Sequence, residues 1–293
     1  MQVELVSVNT ADSLRLDGAL HRCATVNEGA APSAVVCLHG VGGNFYASRL
    51  QSRLTPSFIS RRNSVLWGNT RGRDSVYGAS LAGRWTRLGA AYEIVDDCRF
   101  DIAAWITWLR EEGFAEVGLF GHSLGAVKAI HYAANNPATV PDFIVAASPP
   151  RLSYQAYTAA DSPGFSEVVR EAQRLQSEGR GQQLIEATFP TPMLISAETY
   201  VDKYGPGERY NIVRQIDRLT CPTLISYGAL ELASGNPAFA GLPAALRKAA
   251  GDAELHLIEI ADADHFYTGT DQHLAAAVSD WLQPRNGNAN AAS

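Results

Sequence analysis

The pentapeptide Gly121-His122-Ser123-Leu124-Gly125 sets a serine between two glycines in the pattern G-x-S-x-G. The residues before it, Glu116-Val117-Gly118-Leu119-Phe120, are a short apolar run that reads as a buried strand. Those after it, Ala126 to Ala134, read as a helix that stops before Pro137. A serine on so sharp a strand-to-helix turn has its Oγ raised at the edge of a sheet, and the flanking glycines leave room where β-carbons would not fit. The helix N-terminus beneath it favours developing negative charge. Such a serine suits nucleophilic attack, but at its free pKa it is a weak nucleophile. It needs a general base, and the base needs a third group to orient it.

The base and the orienting acid are expected later in the chain, at strand ends. His21 and His256 fall in strand-like runs, His131 and His273 in helical ones, and His39 and His122 beside motif glycines. His265 lies in Ala261-Asp262-Ala263-Asp264-His265-Phe266-Tyr267, a short loop after the last strand, and is the candidate base. Glu231 follows the strand at 222–227 directly and is the candidate acid, placed to accept the Nδ1 proton of His265. Asp262, Asp264 and Asp202 are its rivals, while the strand ending at Ala147 offers no acid in Ser148-Pro149-Pro150. An oxyanion needs two aligned backbone N–H groups. Leu124 supplies one, and the turn His39-Gly40-Val41-Gly42-Gly43 supplies the other, with Val41 as the candidate donor.

The elements that must position these residues alternate along the chain. Residues 3–8 and 14–23 read as a hairpin at a sheet edge. Ala34–Leu38 is a strand buried on both faces, a mostly helical segment follows to about Arg61, and Ser64–Trp67 is the next strand. In 92–111, Ile94, Cys98, Ile102, Trp105 and Leu109 recur at helical spacing, and Gly113 ends the helix. Phe143–Ala147 is a further strand. From 151 to 218 the pattern changes to helical stretches, 165–178 and 207–218, without a clear strand. Strands at 222–227 and 255–260 and helices at 237–250 and 272–282 complete the alternation. The expectation is an α/β fold with a mainly parallel, doubly wound sheet, its core formed by 1–150 and 219–283. A helical lid is expected over 151–218 and a disordered tail over 284–293. Ligands of such sheets bind at the carboxyl ends of the strands, where all the candidate residues fall.

Composition narrows the function classes. The 293 residues, 46% of them hydrophobic, suffice for one large core with an insertion. A net charge of −6 gives no basic patch for nucleic acid. No apolar run is long enough to span a membrane, and Met1-Gln2-Val3-Glu4-Leu5-Val6 has no signal-peptide character. Cys23, Cys37, Cys98 and Cys221 are widely spaced, which argues against a disulfide framework or a zinc site. The expectation is a soluble, cytoplasmic, metal-free protein.

The elbow around Ser123, the His39-Gly40 turn, the Asp264-His265 loop and the order Ser123, Glu231, His265 together resemble the α/β-hydrolase superfamily. The likeness spans roughly residues 20–283, with the insertion where that family commonly carries a lid. Glu231 stands where aspartate is commoner. The resemblance implies hydrolysis of an ester, thioester or amide through an acyl-enzyme, with no metal and no organic cofactor. Relatives with an alkyl-enzyme mechanism carry aspartate at the elbow, where this chain has Ser123.

The expected activity is cleavage of a small-molecule carboxylic ester or thioester on Ser123. An acyltransferase or biosynthetic thioesterase would use the same residues, and a non-catalytic small-molecule receptor is a third reading of the fold. Arg71 and Arg73 could hold a substrate carboxylate or form structural ion pairs. Tyr154, Tyr157, Tyr200, Tyr204 and Tyr210 could line a pocket or form the core of the lid. Phe266 and Tyr267 could wall the pocket beside His265.

Overall fold

The computed structural model describes residues 3–24, 32–47, 49–162 and 164–283; the expected tail at 284–293 lies outside the described residues. The chain opens with β1 (Val3–Asn9) and β2 (Arg15–His21), then β3 (Ser33–Leu38), α1 (Arg49–Ser60) and β4 (Asn63–Gly68). A hairpin of β5 (Tyr77–Leu81) and β6 (Arg84–Leu88) precedes α2 (Cys98–Glu111), β7 (Glu116–His122), α3 (Leu124–Asn135) and β8 (Ile144–Ala147). Next come α4 (Tyr154–Ala159), α5 (Phe165–Ser177), β9 (Leu184–Ala187), β10 (Met193–Ser196) and α6 (Ala197–Tyr204). The chain then runs through β11 (Thr223–Gly228), α7 (Ala229–Ala233), α8 (Leu242–Ala249), β12 (Leu255–Ile260) and α9 (Asp271–Leu282).

The central sheet has eight strands in the order β1-β2-β4-β3-β7-β8-β11-β12. Pairing is antiparallel from β1 to β2 and from β2 to β4, and parallel across the rest. Every residue of β3, β4 and β11 is buried, as continuous apolar runs require when both faces are covered. The pleat of β3 divides its side chains between two cores. Val35 and Cys37 pack with Leu54 and Phe58 of α1 and Leu274 and Val278 of α9. Ala34, Val36 and Leu38 pack with Ile102 and Trp105 of α2 and Val127 and Ile130 of α3. From β3 the chain passes to β4 on one side, then crosses to β7 on the other. The carboxyl ends of β3 and β7 therefore flank the point where strand order reverses, the usual crevice for a ligand in an open α/β sheet.

Four expectations about local structure are corrected. The α2 helix begins at Cys98, not at 92: Ile94 is extended (φ −86°, ψ 120°), and Val95–Asp97 form one 3-10 turn. Residues 207–218 hold two 3-10 turns, Ile212–Arg214 and Ile216–Arg218, in place of a helix. There Asn211 Oδ1 accepts from Val213 N–H, and Gln215 Nε2 donates to the Arg209 carbonyl, so side chains compete for the backbone bonds a helix would use. The stretch 151–218 also contains strands, the antiparallel pair β9 and β10. Likewise α8 starts at Leu242 and not at 237, after Gly241 in the left-handed region (φ 65°).

The tyrosines of this stretch are mostly core. Tyr157, Tyr200, Tyr204 and Tyr210 are buried in the cluster that also holds α2 and α3, and Tyr154 is partly buried against it. Three of their hydroxyls are met internally: Tyr157 donates to the Arg151 carbonyl at 2.6 Å, Tyr200 to the Phe189 carbonyl at 3.0 Å, and Tyr210 to Asp202 at 2.8 Å.

Candidate active site

Ser123 caps α3 with φ 55° and ψ −123°, a backbone conformation that L-residues seldom adopt. Tight packing on both sides holds it there. A β-carbon on Gly121 would lie 2.3 Å from the Gly125 carbonyl oxygen, and one on Gly125 would lie 2.4 Å from the Leu38 carbonyl oxygen. The two motif glycines thus let the start of α3 press against the ends of β7 and β3. Ser123 N–H donates to the Ala147 carbonyl at 2.9 Å, tying the turn to β8.

The structure brings Ser123, His265 and Glu231 together. Ser123 Oγ lies 3.0 Å from His265 Nε2, and His265 Nδ1 is hydrogen-bonded to Glu231 Oε1. Two loops are joined to make this possible. Leu230 N–H donates to the Ala263 carbonyl at 3.0 Å, and Gly228 faces that carbonyl so closely that a β-carbon would sit 2.3 Å from it. Glu231, in the first turn of α7, is buried, and its Oε2 lies 2.7 Å from Ser148 Oγ and 3.4 Å from Gly228 N. The rival acids point elsewhere. Asp264 Oδ1 accepts from the N–H groups of Phe266 and Thr268 at 2.9 Å each, folding the loop on itself. Those bonds hold its carboxyl below the usual carboxylate range. Asp202 accepts from Val95 N–H at 3.0 Å and pairs with Arg209.

Of the two candidate oxyanion donors, Leu124 is the first residue of α3, where N–H groups have no intrahelical acceptor. Val41 follows Gly40, which packs on the serine: a β-carbon on Gly40 would be 3.4 Å from Ser123 Cβ. Phe266 is 66% exposed and stands with its ring centroid 5.0 Å from His265, while Phe239 stands 5.4 Å from His265. Tyr267 does not wall a pocket. It is buried, with its hydroxyl 3.0 Å from Ser148 Oγ and 2.9 Å from Ser226 Oγ. Arg71 is also buried, paired with Asp101 and Asp12 at 2.9 Å each. Arg73 pairs with Asp74 at 2.6 Å and lies over the Tyr77 ring. Both arginines make the structural ion pairs that were the alternative to a substrate clamp.

Several residues here escaped the sequence reading. Ser148 gives no signal, because only the fold sets it behind Glu231. His122 donates through Nε2–H to the His265 carbonyl at 2.7 Å, so it braces the loop of the candidate base. Lys128 and Glu93 are legible in retrospect. A lysine inside Ala126-Val127-Lys128-Ala129-Ile130 must be buried with a partner. That partner is Glu93, whose Oε2 lies 2.6 Å from Lys128 Nζ and whose Oε1 lies 3.0 Å from Lys203 Nζ. Burial opposes the charge on Glu93, but the two lysines hold its pKa down at about 2.

Burial lowers His39 to a pKa of about 4, aided by the charge of Lys128, and lowers His122 to about 4, aided by His265. Both are neutral in the folded chain and titrate near 6.5 when it unfolds. Unfolding therefore takes up protons between pH 6.5 and pH 4, and the stability present above that window falls as pH drops through it. The expected slope at pH 5 is roughly 2.5 kcal/mol per pH unit, read from urea unfolding at a series of pH values. The Glu93 contribution persists until lower pH, being lost from about pH 4.5 down through about 2. A flat profile between pH 6 and pH 4.5 would contradict the assignment of two buried neutral histidines.

The fold defined by this sheet and its flanking helices is that of the α/β hydrolases. Three comparable solved structures are distant in sequence. The esterase Est1E from Butyrivibrio proteoclasticus aligns over 97% of this chain and 99% of its own, with a TM-score of 0.65 and 14% identity. The Pyrococcus furiosus esterase Pf2001 aligns over 97% and 91%, with a TM-score of 0.64 and 17% identity. The α/β hydrolase GrgF from Penicillium sp. sh18 aligns over 97% and 99%, with a TM-score of 0.69 and 14% identity. No protein-family model matches the chain, and no curated protein matches it by sequence. Among the described residues no helix is long and apolar enough to cross a membrane, and no cluster of potential metal ligands occurs.

Proposed function

We propose that the chain is a serine hydrolase that cleaves a small-molecule carboxylic ester or thioester through an acyl-enzyme on Ser123. The observation that carries this reading is the continuous chain from Ser123 Oγ to His265 Nε2, 3.0 Å apart, and from His265 Nδ1 to the buried Glu231. His265 takes the serine proton as Oγ attacks the carbonyl carbon. The N–H groups of Leu124 and Val41 receive the oxyanion, and His265 in its charged form protonates the leaving alkoxide or thiolate. Water activated by the same imidazole then releases the acid, while Glu231 stays ionised and fixes the imidazole tautomer. The stretch 151–218 acts as the lid over the carboxyl ends of the strands, and 1–150 with 219–283 form the catalytic core.

The aromatic rings of Phe266 and Phe239 beside His265 favour an apolar or aromatic group next to the scissile bond. Est1E, one of the similar structures, has been solved with ferulic acid bound, an aromatic acid consistent with that preference. The test is turnover of aryl esters with and without an added alcohol. An acyl-enzyme gives the same phenol release rate for esters of one acid when deacylation limits, and partitions a share of product to the new ester. Direct attack by water would give acid alone and leave phenol release dependent on the leaving group.

A further inference from the structure

The Lys128–Glu93 pair does not end at the two charges. Lys128 Nζ also donates to Thr70 Oγ1 at 3.1 Å, and Thr70 Oγ1 lies 3.0 Å from His39 Nε2. The Thr70 backbone N–H reaches the same nitrogen at 3.0 Å, so Nε2 is the acceptor and the proton of the neutral ring sits on Nδ1. His39 Nδ1–H then donates to the Gly40 carbonyl at 2.9 Å. The Thr70 hydroxyl and backbone N–H share the one lone pair of Nε2, and through the hydroxyl the bonds run one way, from the lysine ammonium through the imidazole to one peptide carbonyl. Gly43 N–H adds a second bond to that carbonyl at 3.1 Å.

The Gly40 carbonyl and the Val41 N–H belong to one peptide unit, and among the described residues the only cis bond is Phe189-Pro190. In a trans unit the two groups point in opposite directions. Holding the carbonyl toward His39 turns the Val41 N–H away from it. We propose that Thr70 and Lys128 are positioning residues that aim the Val41 N–H at the oxyanion. The inference rests on the hydrolase reading with Val41 as a donor, and deepens it. Lys128 stands four residues after Leu124, on the helix that carries the other donor, so one rigid element sets both. Glu93 keeps the lysine in place, shared with Lys203 of α6, and all three are buried. A purely structural role would be met at least as well by apolar side chains of similar volume.

The test compares Thr70→Val, which keeps shape and loses the hydroxyl, with Thr70→Ser, which keeps the hydroxyl. The readouts are kcat, KM and the affinity of a trifluoromethyl ketone, whose adduct with serine places an oxyanion in the site. Thr70→Val is expected to lower kcat and ketone affinity about 10-fold each, a fraction of the 10²–10³ that complete loss of a donor costs. KM stays near wild type, the thermal midpoint falls because the buried Lys128 ammonium loses an acceptor, and Thr70→Ser restores kcat, ketone affinity and midpoint together. Should Thr70→Val not fold, Thr70→Ala removes the same hydroxyl with a smaller side chain and carries the same expectation. Unchanged kcat and ketone affinity in the variant without the hydroxyl, with turnover still dependent on Ser123, would overturn this inference alone. Turnover that survives Ser123→Ala would overturn the hydrolase reading and this inference with it.

Discussion

Ser123→Ala lowers kcat toward a p-nitrophenyl ester by about 10⁴-fold or more, with the protein still folded. The substitution removes one oxygen and leaves the elbow as it is. The Ser123 backbone bond to Ala147, the close contacts of Gly121 and Gly125, and the first turn of α3 do not involve the hydroxyl. Alanine meets the same backbone strain at φ 55° as serine, so stability changes little. What remains is the rate that substrate binding and the two backbone donors supply without a nucleophile, and no acyl-enzyme forms. The measurement is kcat for purified variant and wild type, with circular dichroism as the control for folding. A variant within 10-fold of wild type would place the nucleophile elsewhere.

Glu231→Gln costs about 10⁴-fold in kcat for a different reason, the identity of a tautomer. The Glu231 Oε2 position faces two donors, Ser148 Oγ at 2.7 Å and Gly228 N at 3.4 Å. A glutamine keeps its carbonyl oxygen there, because its NH₂ would meet the Gly228 N–H head on. The NH₂ then faces His265 Nδ1 and requires that nitrogen to be an acceptor. The ring proton moves to Nε2, which can no longer take the proton of Ser123. KM is expected to stay within a few-fold of wild type, since Glu231 is buried away from the substrate side of the imidazole. The kcat values of Glu231→Gln and Glu231→Asp together check this. Aspartate keeps the charge and the acceptor, and loses less than glutamine. Equal losses would mean that carboxylate reach, not the tautomer, sets the rate.

The parts of the fold that were legible from sequence are those where one physical demand dominates. Residues 34–38 and 143–147 read as strands because unbroken apolar runs of that length must be covered on both faces. The elbow read correctly because a serine between two glycines has few other uses at a strand-helix junction. Elements decided by distant partners were not legible. Before α2 starts at Cys98, Glu93 is held by two buried lysines from other parts of the chain and Ile94 runs extended, neither of which the local sequence shows. The hairpin β5–β6 packs Tyr77, Ala79 and Leu81, at every second position of β5, and Leu88 of β6 on the core while Trp85 is exposed; an alternation only five residues long, set among polar and charged residues, is a weak strand signal. The turns at 212–218 look helical by composition, but Asn211 and Gln215 bind Val213 N–H, the Arg209 carbonyl and His131 through their side chains. In the site, position after a strand pointed to His265 and Glu231, which the fold brings into line with Ser123. The groups behind them, Ser148, Tyr267 and Thr70, are ordinary polar residues until the fold assembles them.

The central claim is that Ser123 is an activated nucleophile, and intact mass after exposure to a small fluorophosphonate tests it most directly. The reagent phosphonylates a serine whose proton is drawn off by a neighbouring base and leaves ordinary hydroxyls untouched. The account predicts one adduct on the wild-type chain, located to Ser123, and none on Ser123→Ala. No adduct on the wild type, or an adduct that persists in Ser123→Ala, would contradict it.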